Sequence, residues 1–332
     1  MSTTEPTPAR ASAGGRAFAA LGRGVNELTI VVAFVAIALF LSLTMPSFLS
    51  TANLLSILLA TSLIGIVAVG ETFVIVTGGI DLSPGSVVGL TGVLTGMALH
   101  AGVPVAGAVA AGVVLGAACG AFNAVAVTLL GMNPFIVTLA VLAMARGLAF
   151  IVTGGNTVFG FDDAFDNIGG GNLGVVPIAA IITLSVFVVA WVVLSRSVFG
   201  AEVYAVGANR PAARLAGIPV GRTLAAVYII AGALSGLGGV VLTGRLDSAQ
   251  PIAASGLELN AIAAVVIGGA SLFGGKGSML GTLLGVLIIG LINNGLTLAN
   301  VQPFWVQFIQ GAVIFAAVLL DSLNQKRRTR AG

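Results

Sequence analysis

The sequence predicts an all-α, polytopic membrane protein with broken helices and an internal pseudo-repeat, and three observations carry that reading. Of its 332 residues 58% are hydrophobic and only 8% charged, against roughly 25% charge in a water-soluble domain. Apolar runs of bilayer-crossing length recur along the chain, enough for about ten transmembrane helices at ~20 residues each. Glycine is abundant at 47 residues, which favours tightly packed and interrupted helices.

Residues 1–27 are rich in Ala, Thr, Ser and Gly and carry Arg10, Arg16 and Arg23; they read as a disordered basic leader. The transmembrane domain is expected over 28–321. Its first span is Leu28 to Met45, too long for a signal-peptide core and followed by no small-residue cleavage pattern. The second, Leu54 to Thr77, carries Glu71. Next comes GGIDLSPGS, Gly78 to Ser86, where paired glycines, Asp81 and Pro84 cannot continue a helix. Ser83 and Pro84 offer a cap and first turn for a third helix to about Leu99.

Val105 to Leu130, containing Asn123, and Phe135 to Thr153, containing Arg146, are the fourth and fifth. An intramembrane cation such as Arg146 needs a partner or water. Residues 154–174 form a polar loop with Asp162, Asp163 and Asp166, and Val175 to Leu194 is the sixth helix. The remaining helices are Leu224 to Leu242, Glu258 to Ala270, Met279 to Leu298 with Asn293 and Asn294, and Phe304 to Leu320. A basic tail, 322–332, closes the chain.

Between the sixth and seventh helices lies VGANRPAARLAGIPV, 206–220, a basic interruption with the chemistry of a short helix outside the hydrocarbon. Asn209 suits the N-cap, Pro211 the first turn, and Gly217 followed by Pro219 the stop. With both termini cytoplasmic, this segment and the tail fall inside. Of the fourteen Lys and Arg, only Arg146 and Arg245 then lie elsewhere, as the positive-inside rule requires.

VIVTGGIDLSPGSVVG, 74–89, and AVVIGGASLFGGKGSMLG, 264–281, each run from an apolar lead through Gly-Gly to Gly-Ser-x-x-Gly at a helix start. Two broken helices in corresponding halves are the mark of a transporter built from repeats. Glu71, Asp81, Asn123, Asn293 and Asn294 are therefore candidate pathway or gate residues. Interhelical hydrogen bonds are the alternative role for the asparagines.

Other chemistries find little support. ASLFGGKG, 270–277, lacks the first glycine and the terminal Ser or Thr of a phosphate-binding loop. One cysteine, Cys119, and one histidine, His100, build neither a disulfide nor a metal site. No catalytic cluster is evident, and no basic stripe suits nucleic acid. No bound cofactor is expected.

The blocks GGIDLSPGS (78–86), GANRPAARLAGI (207–218), SAQP (248–251) and LNAIAAVVIGGASLFGGKGS (259–278) resemble the permease subunit of ATP-driven sugar importers of the ribose, xylose and galactose type. That resemblance implies a homodimer in the bacterial inner membrane, importing a pentose or hexose delivered by an extracytoplasmic binding protein. It also implies a cytoplasmic ATPase with two fused nucleotide-binding domains, which alone binds ATP and magnesium. Gly207, Asn209, Arg210, Ala212, Ala213, Arg214 and Gly217 would then belong to the helix that couples to this motor. The chain departs from the family pattern at Arg210 and Pro211, where acidic residues are common, and at Asn260 and Ala270, where Asp and Thr are. The competing expectation is an ion-coupled secondary carrier of a small polar solute using Glu71 or Asp81.

Overall fold

The computed structural model describes residues 13–331. Side chains are described from Leu28 to Ser322, apart from Pro303, Ile314, Ala317, Leu320 and Asp321. In chain order the helices are α1 (Ala13–Thr44), α2 (Thr51–Val76), α3 (Pro84–His100), α4 (Val105–Thr128), α5 (Pro134–Thr153) and α6 (Asp163–Gly170). Then follow α7 (Ile178–Arg196), α8 (Val198–Ala208), α9 (Arg210–Leu215), α10 (Val220–Leu246), α11 (Leu257–Ile267), α12 (Met279–Leu298) and α13 (Pro303–Ala331). Two small antiparallel ladders complete the described fold: β1 (Val158–Phe159) with β4 (Ser248–Ala249), and β2 (Asn172–Leu173) with β3 (Val176–Pro177).

Six of these helices, α2, α4, α5, α7, α10 and α12, are long and apolar enough to cross a membrane. Helix α11, at 11 residues, rises only ~16 Å, half a bilayer. Local chemistry sets many of the ends. Ser50, Asn133, Ser197 and Ser278 each accept a backbone N–H at a helix start, and Gly154 ends α5 at φ 60°.

At the centre stands α10, packed against α2, α3, α4 and α6. Its approach to α4 is backbone against backbone: a Cβ on Gly116 would strike the Gly232 carbonyl, and one on Gly120 the Tyr228 carbonyl. Helices meet so closely only where residues are small. Around them Val67, Val69, Phe73, Val74, Val227 and Ala231 form the main core.

Several sequence expectations change. The leader, expected to be disordered over 1–27, is helical from Ala13, because α1 continues backward from the first span without a break; its first twelve residues lie outside the described ones. The tail from 322 likewise continues α13 to Ala331. The loop 154–174 contains α6, whose Phe165 is fully buried and so anchors it. Ser83 starts α3 without making a side-chain cap, because its hydroxyl donates to Asp81 instead.

The α4–α10 contact yields a stability prediction. Gly116→Val should lower the detergent-solubilised protein's unfolding free energy by about 3 kcal/mol, the upper end for overpacking, since backbone cannot yield as a side chain does. An unchanged midpoint in denaturing-detergent titration would contradict this packing.

Candidate functional site

The two interrupted helices and the short basic helix meet at one end of the bundle. At the first break α2 stops at Val76, and Gly78 turns the chain at φ +76°. Asp81, 2% exposed, folds the link back on itself. Its carboxylate accepts the Ser83 N–H at 2.8 Å and hydroxyl at 2.6 Å. From α4 the Asn123 amide donates to the Ser83 hydroxyl at 3.1 Å, while the Thr138 hydroxyl of α5 donates to the Ile80 carbonyl at 3.2 Å. Asp81 and Asn123 thus hold the break's shape.

The second break runs from Gly268 to Ser278, and it touches the first directly. The Gly275 N–H donates to the Val76 carbonyl, the end of α2, at 2.8 Å. Where α12 begins, Gly281 and Gly285 leave room for the backbone of Gly268 and Ala264. The Tyr204 hydroxyl of α8 donates to the Gly277 carbonyl at 2.8 Å.

Helices α8 and α9 press on both breaks. The segment 206–220, read as one short helix, is the last turn of α8, an extended Asn209 (φ −162°, ψ 100°), the six-residue α9 and a turn into α10. The division follows from Asn209, whose side chain leaves the backbone helix to accept the Ala212 N–H at 3.0 Å. Gly217 ends the motif at φ +81°. Arg210 reaches sideways, its Nη2 donating to the Thr77 carbonyl at 3.1 Å, and Gly207 sits where a Cβ would overlap the Val76 carbonyl. Beneath α9, Ala213 packs with Val206, Val220 and Leu224. Its outer face leaves Ala212 and Arg214 exposed and Leu215 91% exposed. A cleft of about 660 Å³ beside it is lined by Thr77, Ile80, Asn133, Phe135, Arg210 and Phe273.

The other candidates make no hydrogen bond to this junction among the described residues. Glu71 is fully buried on α2, and neither carboxyl oxygen has a hydrogen-bond partner among the described residues. Asn294 and Asn53 exchange side-chain amide bonds at 2.7 and 3.1 Å, and Asn293 accepts from Gln310 at 3.0 Å. Both asparagines therefore join helices, the alternative the sequence had left open. Arg146 finds its partners not in a contacting acid but in the Pro251 and Ala253 carbonyls, at 2.7 and 2.8 Å. Thr77, Val76 and Gly275 were not singled out from sequence. Only the doubled glycines beside them signalled a close approach.

At the opposite end, Asp166 of α6 faces Asp247, with Asp163 and Asp162 near. Partial burial, then these like charges, raise its carboxyl above the ordinary aspartate range.

Interrupted helices of membrane-spanning character converging on a short, exposed basic helix are the arrangement of an α-helical transport permease. The chain belongs to the family described as branched-chain amino acid transport system / permease component, whose model matches residues 53–318. It is 44% identical to the ribose import permease protein RbsC of Bacillus subtilis, over 86% of this chain and 89% of that one. It is 39% identical to the D-allose transport system permease protein AlsC of Escherichia coli, over 90% and 92%. To the L-arabinose ABC transporter permease protein AraH of Azospirillum brasilense it is 38% identical, over 98% and 96%. No solved structure matches the chain.

Two predictions come from this geometry. Asn209→Ala removes a cap worth ~1 kcal/mol, so amide exchange in α9 should quicken about fivefold, read by hydrogen-exchange mass spectrometry. Because the folded Asp166 value is raised, its stabilising contribution is complete below the ordinary aspartate value and is lost as pH rises through the raised one. Thermal midpoints should therefore fall for the parent relative to Asp166→Asn as pH rises above about 4, the ordinary aspartate value; parallel profiles would contradict the contact.

Proposed function

We propose that this chain forms the membrane pathway of an ATP-driven monosaccharide importer in the bacterial inner membrane. The observation that carries the proposal is its similarity, across nearly the whole length, to permeases named for ribose, allose and arabinose. Two copies would form the pathway. A cytoplasmic ATPase with two fused nucleotide-binding domains would drive it, binding the ATP and magnesium, and an extracytoplasmic protein would deliver the sugar.

In this reading the chain crosses ten times, by α1 to α5, α7 and α10 to α13, with α11 reaching its depth through a non-helical entry. Six crossings before α9 put it in the cytoplasm together with both termini. The broken pair α2–α3 corresponds to α11–α12 as halves of a repeat, a correspondence supported by the bond between their breaks.

α9 is the coupling helix. Its uncovered Ala212, Arg214 and Leu215 face the motor. Behind them, Arg210 and Gly207 pass a displacement to the end of α2 and the second break. A motor that binds one arrangement of these contacts better than another shifts the permease between its states. Asp81 and Asn123 preserve the first break while it moves; Asn293 and Asn294 keep α12 attached to its neighbours.

Ala212→Trp, on the exposed face, should cut sugar uptake at least tenfold in vesicles holding permease, ATPase and binding protein, while the amount of inserted permease stays unchanged. Wild-type uptake in this variant refutes the coupling role. Uptake that persists without the ATPase and collapses with a protonophore would replace the importer by an ion-coupled carrier.

A further inference from the structure

The link between α10 and α11 carries a device that the transport reading does not use. Helix α11 is too short to cross alone, so in the ten-crossing topology proposed above the chain enters the hydrocarbon as irregular backbone over 250–256. Irregular backbone at that depth survives only where the protein supplies hydrogen-bond donors. The donor here is Arg146 of α5, whose Nη1 alone bonds both the Pro251 and the Ala253 carbonyl. Each side resolves the other's problem: a guanidinium within a membrane helix needs acceptors, and two carbonyls outside any helix need donors.

The surroundings are cut to fit this pair. On α3, a Cβ at Gly89 would crowd Arg146 Nη1 together with the Pro251 and Ala253 carbonyls, and one at Gly85 would collide with Glu258 and the Ala254 carbonyl. The inserted link is also conformationally loaded. Ala254, a residue with a Cβ, lies at φ 57°, a region it occupies only when neighbours compel it. On its outer side the link is sewn to loop 154–177. Ser248 and Ala249 pair with Phe159 and Val158, and the Phe161 N–H donates to Asp247 at 3.2 Å.

We propose that Arg146 is a positioning residue for transport, the latch that holds 250–256 inserted against α3 and keeps the α6 end of the pathway closed. Release of its two carbonyl bonds lets the link withdraw, and tension on loop 154–177 reaches the latch through the β1–β4 ladder. The side of the membrane on which this gate opens rests on the orientation proposed above.

The test uses the complete importer in intact spheroplasts, with Cys119→Ala as background. Ala253→Cys reports the link, and Leu173→Cys, on an exposed hairpin, independently reports sidedness; both are probed with a membrane-impermeant maleimide. With Arg146 present, Ala253→Cys should react slowly. Arg146→Met should speed it at least tenfold and leave ATP hydrolysis running while uptake falls, whereas Arg146→Lys, which keeps the charge and donors, should restore slow labelling. Equal labelling rates in the Arg146 and Arg146→Met proteins, with Leu173→Cys reactive in both, overturn the latch. Reaction of Leu173→Cys only after permeabilisation overturns the orientation instead, and with it the outward placement of the gate.

Discussion

A backbone that leaves helical geometry where it is buried must find its hydrogen-bond partners within the protein, and this constraint shapes both breaks and the segment leading into α11. At the first break Arg210 takes the Thr77 carbonyl, Gly275 the Val76 carbonyl and Thr138 the Ile80 carbonyl. On the way into α11, Arg146 takes two more. The same groups that make irregular backbone tolerable therefore tie it to other elements, so the breaks cannot move alone.

Glycine serves closeness more than suppleness here. Between α4 and α10 it removes the side chains that would hold two backbones apart, giving the bundle a stiff axis by van der Waals packing. At Gly207 it lets α8 rest directly on the end of α2, and at Gly85 and Gly89 it lets the inserted link rest on α3. Rigid helices joined at a few irregular points concentrate displacement at those points. In the proposed coupling role, a push on α9 would be delivered to the two breaks rather than dissipated along the helices.

The two ends of the molecule are tied in related ways. One arginine holds α9 to the end of α2 and another holds the segment leading into α11, each through carbonyls. Arginine suits both places because its charge persists and its several N–H groups reach around a helix without requiring a buried acid. Along the chain, α11 connects the segment held by Arg146 to the second break.

What the sequence determined by itself was local or compositional. Hydrophobic content and glycine set the class, and the cap at Asn209, the proline after it and the stop at Gly217 were legible because capping involves residues only a few positions apart. The two Gly-Gly interruptions were visible for the same reason. Tertiary structure alone decided whom the polar groups serve: Asn294 bonds Asn53, 241 residues away, Arg146 bonds carbonyls more than 100 residues on, and Ser83 gives up its cap for Asp81 with Asn123 behind it. A buried polar group takes whichever partner the packing brings within reach, and packing depends on helices far apart along the chain.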